Sequence, residues 1–169
     1  MSQPVPKAVL FDRDGTLIVN VPYNGDPARV EPLPGVLDAL QRLRAAGLRL
    51  AVVTNQSGVG RGLIGGEAVR SVNARVEELL GPFEGWFICP HAPQDGCDCR
   101  KPQPGLVLEA AEALGLRPDE CVVIGDADGD VEAAHRAGAQ GMKLGGELTL
   151  SDAVDGILQA VRGAPRGRG

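Results

Sequence analysis

The sequence predicts an α/β fold in which about five strands form a doubly wound, mainly parallel sheet. Two observations carry this. Short apolar runs of strand type alternate with segments whose apolar residues recur at helical spacing, from Lys7 to Val161. No internal repeat and no long linker divides the chain, so residues 1–162 are expected to form one domain and 163–169 a mobile tail without core residues.

Lys7 to Phe11 is the first apolar run and reads as a buried strand ending at Asp12. From Gly35, the spacing of Val36, Leu37, Leu40 and Leu43 marks a helix, with Pro34 beside its start and Gly47 as its C-cap. Arg49 to Thr54 is strand again. Val69, Val72, Val76, Leu79 and Leu80 form the apolar face of a second helix, which Gly81 and Pro82 stop. Trp86 to Cys89 is the third strand, and a helix follows from about Gly105 to Leu114. Cys121 to Ile124 is a strand leading into Gly125 and Asp126, with Val131 to Ala137 helical after it and Gln140 to Leu144 a weaker strand. Val154, Ile157, Leu158 and Val161 mark the last helix. Ligands of such sheets bind beyond the C-terminal ends of the strands. Asp12 with Asp14, Thr54 with Asn55, the Cys89 cluster and Asp126 with Asp130 all fall there.

Of the 169 residues, 43% are hydrophobic and 23% charged, the balance of a soluble globular protein rather than a disordered chain. A net charge of −5 argues against a nucleic-acid surface, which needs clustered Lys and Arg. No apolar run approaches the roughly 20 residues that span a bilayer. The chain reaches Lys7 and Asp12 without a signal-peptide core, so a cytoplasmic location is expected, with no membrane partner.

Asp12 and Asp14 lie two residues apart just past a buried strand. Carboxylates so close resist joint ionisation unless a cation sits between them, which is the logic of a magnesium site in which one Asp is also a nucleophile. Asp126, Asp128 and Asp130 follow another strand; Asp126 reads as the metal ligand and Asp128 as a helix cap. Cys89, His91, Cys97 and Cys99 are three thiols and an imidazole within eleven residues, the ligand set of a closed tetrahedral structural zinc site. Cys121 lies inside a predicted strand and reads as a small core residue, and His135 as a surface or packing residue.

The order Asp12-Arg13-Asp14-Gly15-Thr16, Thr54, Lys101 and Gly125 to Asp130 resembles the four motifs of the haloacid dehalogenase superfamily of phosphotransferases, over roughly Ala8 to Lys143. The resemblance implies a Rossmann-like fold and a phosphoaspartyl mechanism. Asp12 is then the nucleophile and Asp14 the general acid and base. Mg²⁺ is held by the Asp12 side chain, the Asp14 main-chain carbonyl and Asp126, with Asp130 behind them. Thr54 and Asn55 donate to the transferring group, and Lys101 sets a positive charge against it. Lys101 is one of only three lysines, against fourteen arginines.

The stretch from Cys89 through Cys99-Arg100-Lys101-Pro102 to Gly105 resembles the zinc loop of the heptose bisphosphate and histidinol-phosphate phosphatases within that superfamily. Thr54 to Gly58 and Arg61-Gly62 match the heptose branch. The five-residue gap between His91 and Cys97 is closer to the histidinol branch, and Ala127 stands where some heptose enzymes have a lysine. The resemblance gives Arg100 a role in substrate recognition and lines the pocket with Asn20 to Tyr23, Gln56 and Ser57. About forty residues separate Asp14 from Thr54, too few for a cap domain beside one helix. The reading is therefore a capless phosphatase that uses Mg²⁺ and Zn²⁺ and acts as a monomer on a small phosphorylated sugar, heptose bisphosphate being favoured over histidinol phosphate. A zinc-stabilised binding module with a dead site and a nucleic-acid 3′-phosphatase are the other readings. The intact Asp12 and Asp14 speak against the module.

Overall fold

The computed structural model describes residues 4–163. Of the expected tail, only Gly163 is among them, at the C-terminus of the last helix; residues 164–169 lie outside the described part. Five strands, β1 (Ala8–Phe11), β2 (Arg49–Asn55), β3 (Trp86–Cys89), β4 (Cys121–Gly125) and β5 (Gln140–Lys143), form one sheet in the order β3-β2-β1-β4-β5. Every pairing in it is parallel. The helices are α1 (Val36–Ala45), α2 (Ser57–Gly60), α3 (Gly66–Leu80), α4 (Gly105–Leu114), α5 (Asp128–Ala137) and α6 (Leu150–Arg162), as in a doubly wound α/β domain.

Alternation along each strand divides the core in two. Val9, Phe11, Leu50, Val52, Val122 and Ile124 face α1 and α6, with Val76 and Leu80 of α3 completing that layer. Ala8, Leu10, Ala51, Val53, Cys121 and Val123 face α4 and α5. A side chain such as Leu10 or Leu40, wholly removed from water, stabilises the fold by about 1.5–3 kcal/mol. Cys121 is one of these buried residues, as expected of a small core side chain.

The chain runs from β1 outward to β2 and β3, then crosses back to β4 on the other side of β1. Strand order therefore reverses at β1, and the crevice at such a switch point lies beyond the ends of β1 and β4. The Asp12 N–H continues the ladder onto the Ile124 carbonyl at 3.0 Å, so Asp12 and Asp126 leave the sheet side by side. Between Asp14 and Thr54 there is only a 3-10 turn at Pro27–Arg29, α1 and the start of β2, and no inserted cap.

The strand boundaries agree with the expectation to within one residue, but the start of α5 does not. α5 starts at Asp128, not near Val131, and its N-cap is Ala127 rather than Asp128. The capping carboxylate is Asp130, whose Oδ2 accepts the Ala127 N–H at 3.0 Å. Asp128 points outward and pairs with Lys143 of β5 at 2.8 Å.

Candidate active site

β1 delivers Asp12 to the edge of the sheet, and the turn after it is tight. Gly15 N–H donates to Ile18 O at 2.8 Å and Leu17 N–H to Arg13 O at 2.9 Å. Gly15 has φ +81°, a conformation L side chains rarely adopt, and a Cβ there would lie 2.3 Å from Asp126 Oδ2. Glycine is thus what lets the β4 carboxylate approach the β1 turn. Carboxylate oxygens of Asp12, Asp126 and Asp130 come within 4.8 Å of one another. Asp12 and Asp130 border a cavity of about 200 Å³, lined also by Asp14, Asn55, Lys101, Ala127 and Gly129.

Lys101 is no solvated surface lysine: it is 7% exposed. Its ammonium donates to Asp12 Oδ1 at 2.9 Å, to the Val53 carbonyl at 3.0 Å and to Asp130 Oδ1. Asn55 holds the main chain of Lys101 from both sides, accepting its N–H at 3.0 Å and donating to its carbonyl at 3.2 Å. Burial pushes the Asp12 carboxyl up to about 7; the Lys101 charge opposes that, while Asp130 and Asp126 add to it. Burial also works against the Lys101 charge, but Asp12 and Asp130 outweigh it and raise the ammonium above its ordinary value. One ammonium thus faces three clustered carboxylates, and the remaining negative charge on hard oxygen donors is the chemistry that suits Mg²⁺.

The loop after β3 gathers the cysteines. His91 Nδ1 lies 3.4 Å from Cys89 Sγ and 3.2 Å from Cys99 Sγ, and Cys89 Sγ lies 3.6 Å from Cys97 Sγ. Tetrahedral zinc with ordinary Zn–S and Zn–N bonds separates its ligand atoms by about 3.5–3.8 Å. The four side chains therefore fit zinc, and among the described residues no cysteine is in a disulfide. Burial, followed by contact with Cys89 and Cys97, pushes the Cys99 thiol up to about 12. A soft cation that displaces its proton relieves that crowding.

The other expected residues divide. Thr54 is fully buried at the end of β2, and its hydroxyl oxygen accepts from Gln56 Nε2 at 2.9 Å. Gln56, expected to face substrate, is 7% exposed, with its amide turned to protein partners. Asn20, Tyr23 and Ser57 lie outside the lining of the Asp12 cavity. Tyr23 is 46% exposed and has φ 52°. Its ring lies over Gly58, where a Cβ would meet it at 2.8 Å. Arg100 lines a neighbouring cavity of about 230 Å³ with Pro93, Gly96, Cys97, Pro102 and Gln103. Its buried NH1 finds no protein partner.

Sequence reasoning missed two residues, Arg13 and Asn73. Arg13 is 2% exposed and pairs with Asp14 at 3.1 Å. Asn73 of α3, also buried, accepts from Arg13 NH1 at 2.8 Å. A polar residue beside Val69, Val72 and Val76 on an apolar helix face was the signal that could have found it.

Four carboxylates and one buried lysine at a parallel sheet's switch point form a site suited to metal-assisted phosphoryl transfer. The family model of haloacid dehalogenase-like hydrolases matches residues 23–138, and the chain belongs to that family. Within it, the chain is 39% identical over 158 residues to the D-glycero-beta-D-manno-heptose-1,7-bisphosphate 7-phosphatase of Pseudomonas putida, covering 88% of this chain and 89% of that protein. The Escherichia coli K12 protein of the same name is 33% identical over 183 residues, covering 98% and 95%. The solved D,D-heptose 1,7-bisphosphate phosphatase of B. bronchiseptica, complexed with magnesium and phosphate, is similar in structure with a TM-score of 0.82. It is 29% identical and the match covers 90% of this chain and 98% of that one. A putative HAD-like phosphatase from Mesorhizobium loti gives a TM-score of 0.83 at 33% identity, covering 98% and 90%.

Proposed function

We propose that this protein is a magnesium-dependent phosphatase that removes the 7-phosphate of D-glycero-D-manno-heptose 1,7-bisphosphate through a phosphoaspartyl intermediate on Asp12. The observation that carries the reading is the convergence of Asp12, Asp130 and Lys101 on one cavity at the sheet's switch point, with Asp126 clustered beside the two carboxylates. The names of the curated relatives support the substrate.

Asp12 attacks phosphorus as the bond to the sugar oxygen breaks, and Asp14, which lines the same cavity, protonates that oxygen as it leaves. Asp14 then takes a proton from the water that attacks the aspartyl phosphate, releasing phosphate and restoring Asp12. The Lys101 ammonium, 2.9 Å from Asp12, balances charge on the transferring oxygens. Asp130 keeps it there and, by accepting the Ala127 N–H, fixes the start of α5. Thr54 Oγ1 accepts from Gln56 and directs its own proton at the Asn55 carbonyl 3.5 Å away, a long bond that a phosphoryl oxygen can replace. The carboxylates of Asp12 and Asp126 and the main-chain carbonyl of Asp14 would hold Mg²⁺, whose charge would offset repulsion between nucleophile and phosphate.

Arg100 is assigned to the non-reacting 1-phosphate. Its planar fork suits a dianion, and its unpartnered NH1 is a donor to spare. The zinc loop holds Arg100 and Lys101 directly after Cys99, and so narrows a cleft that has no cap. Asn20, Tyr23 and Ser57 are assigned to the outer rim. The reading takes the protein as a cytoplasmic monomer that binds neither nucleic acid nor membrane. The net charge of −5 supports the first, and no helix of the described residues is long and apolar enough to cross a membrane.

The histidinol phosphate alternative rests on the short His91–Cys97 gap, and its cationic amine would meet Arg100 with like charge. Steady-state kinetics with heptose bisphosphate, histidinol phosphate and a 3′-phosphorylated oligonucleotide test the reading. Heptose bisphosphate should have the highest kcat/KM, and a preference for either of the others would remove the assignment.

A further inference from the structure

A buried polar chain runs from α3 to the catalytic turn. The Arg13 guanidinium donates from NH1 to Asn73 Oδ1 at 2.8 Å and from NH2 to Gln56 Oε1 at 3.2 Å. Its Nε donates to Asp14 Oδ1 at 3.2 Å, and NH2 lies 3.1 Å from Asp14 Oδ2. Gln56 Nε2 in turn donates to Asp14 Oδ2 at 3.0 Å and to Thr54 Oγ1 at 2.9 Å. Arg13, Gln56 and Asn73 are 2%, 7% and 6% exposed, so these bonds have little water to replace them.

We infer that Asn73 is a positioning residue for the reaction, acting through Arg13 and Gln56 to hold the Asp14 carboxyl where proton transfer to the leaving group needs it. The inference rests on the reading of Asp14 as general acid and base. Asn73 is absent from the lining of the Asp12 cavity and has no route to substrate of its own. It occupies a position on α3 whose neighbours Val69, Val72 and Val76 are apolar core residues. A buried guanidinium with a missing acceptor is strongly disfavoured. Without Asn73 Oδ1, Arg13 would move toward another partner or toward water. Both Asp14 oxygens and the Gln56 amide oxygen are tied to that guanidinium, so Asp14 and Gln56 move with it. Proton transfer depends on placement to within a fraction of an ångström, whereas a purely structural residue would affect every substrate alike.

The test compares Asn73→Leu, similar in size but without an acceptor, with Asn73→Asp, which keeps an oxygen for Arg13. Asn73 also borders an open groove of about 280 Å³ with Trp86 and Ile88, so an apolar side chain there has room. The substrates are phenyl phosphate, whose leaving group needs protonation, and p-nitrophenyl phosphate, whose leaving group needs little; Asp14→Asn is the reference. Asn73→Leu should lower kcat/KM on phenyl phosphate, which reports only the step that expels the leaving group, about 10- to 100-fold while changing kcat/KM on p-nitrophenyl phosphate by less than about 3-fold. Asn73→Asp should recover most of the loss. If Asn73→Leu does not fold by circular dichroism, Asn73→Ser, too short to span to Arg13, is read the same way. Equal losses on both esters, no loss, or an Asn73→Asp as impaired as Asn73→Leu would overturn the inference while Asp14→Asn still discriminates between the esters. Should Asp14→Asn itself slow both esters equally, the acid–base reading falls and the inference with it.

Discussion

Lys101 reaches Asp12 across 89 residues of sequence, its ammonium 2.9 Å from Oδ1, in a pocket where the lysine side chain is 4% exposed. The same nitrogen holds Asp130, also almost wholly buried. Removing the lysine would strand both carboxylates. Lys101→Ala should therefore destabilise the metal-free protein by about 3–5 kcal/mol, the usual result of breaking a buried ion pair. It should also lower kcat by about 10²–10³, the worth of one group aimed at developing charge. Urea unfolding with and without Mg²⁺, together with p-nitrophenyl phosphate hydrolysis, measures both. A variant with wild-type kcat would deny Lys101 its role.

Magnesium affinity should depend on pH near neutrality. Burial is the main reason that the Asp12 carboxyl sits at about 7, and a protonated carboxyl is a poor ligand. Calorimetric titration should show Mg²⁺ affinity rising with pH, about tenfold per unit, up to near pH 7 and levelling above it. In the metal-free protein the same shift acts on folding. The folded value lies above the ordinary 3.8, so this carboxyl favours folding fully below about pH 4 and loses that contribution as pH rises through about 7. A flat affinity profile from pH 5 to 8 would contradict the environment described for Asp12.

Much of this site was legible because strands announce themselves by apolar runs and stop at polar residues. Asp12, Thr54 and Asp126 could be placed at the same sheet edge from that pattern alone. Helix starts were less legible. α5 begins at Asp128 because Asp130 reaches back to the Ala127 N–H, and nothing apolar marks that first turn. α2 is four residues long and too short for a period. Gln56 was read as facing substrate from its place in a motif, yet its direction is set by Arg13, 43 residues away. Arg13 and Asn73 meet across 60 residues, a pairing that no local spacing encodes.

The purified protein should carry about one zinc per chain, as one four-ligand set requires. Cys99→Ala should lose it. Because Arg100 and Lys101 follow Cys99 immediately and Lys101 is anchored by Asn55, activity should fall although zinc touches no reacting atom. Elemental analysis paired with activity settles the point; full activity in a zinc-free Cys99→Ala protein would show that the loop is ordered without metal.

Arg100→Ala should raise KM for heptose bisphosphate by about tenfold or more and leave p-nitrophenyl phosphate nearly unchanged, since it removes contact with a part of the substrate that does not react. Equal effects on the two would place Arg100 outside the recognition of the second phosphate.

Hydrolysis at one particular ester of heptose bisphosphate is read directly by phosphorus NMR. With Mg²⁺ present, the 7-phosphate resonance should vanish as inorganic phosphate appears in equal amount, the 1-phosphate should persist, and Asp12→Asn should abolish the change. Loss of the 1-phosphate first, or undiminished turnover by Asp12→Asn, would contradict the account.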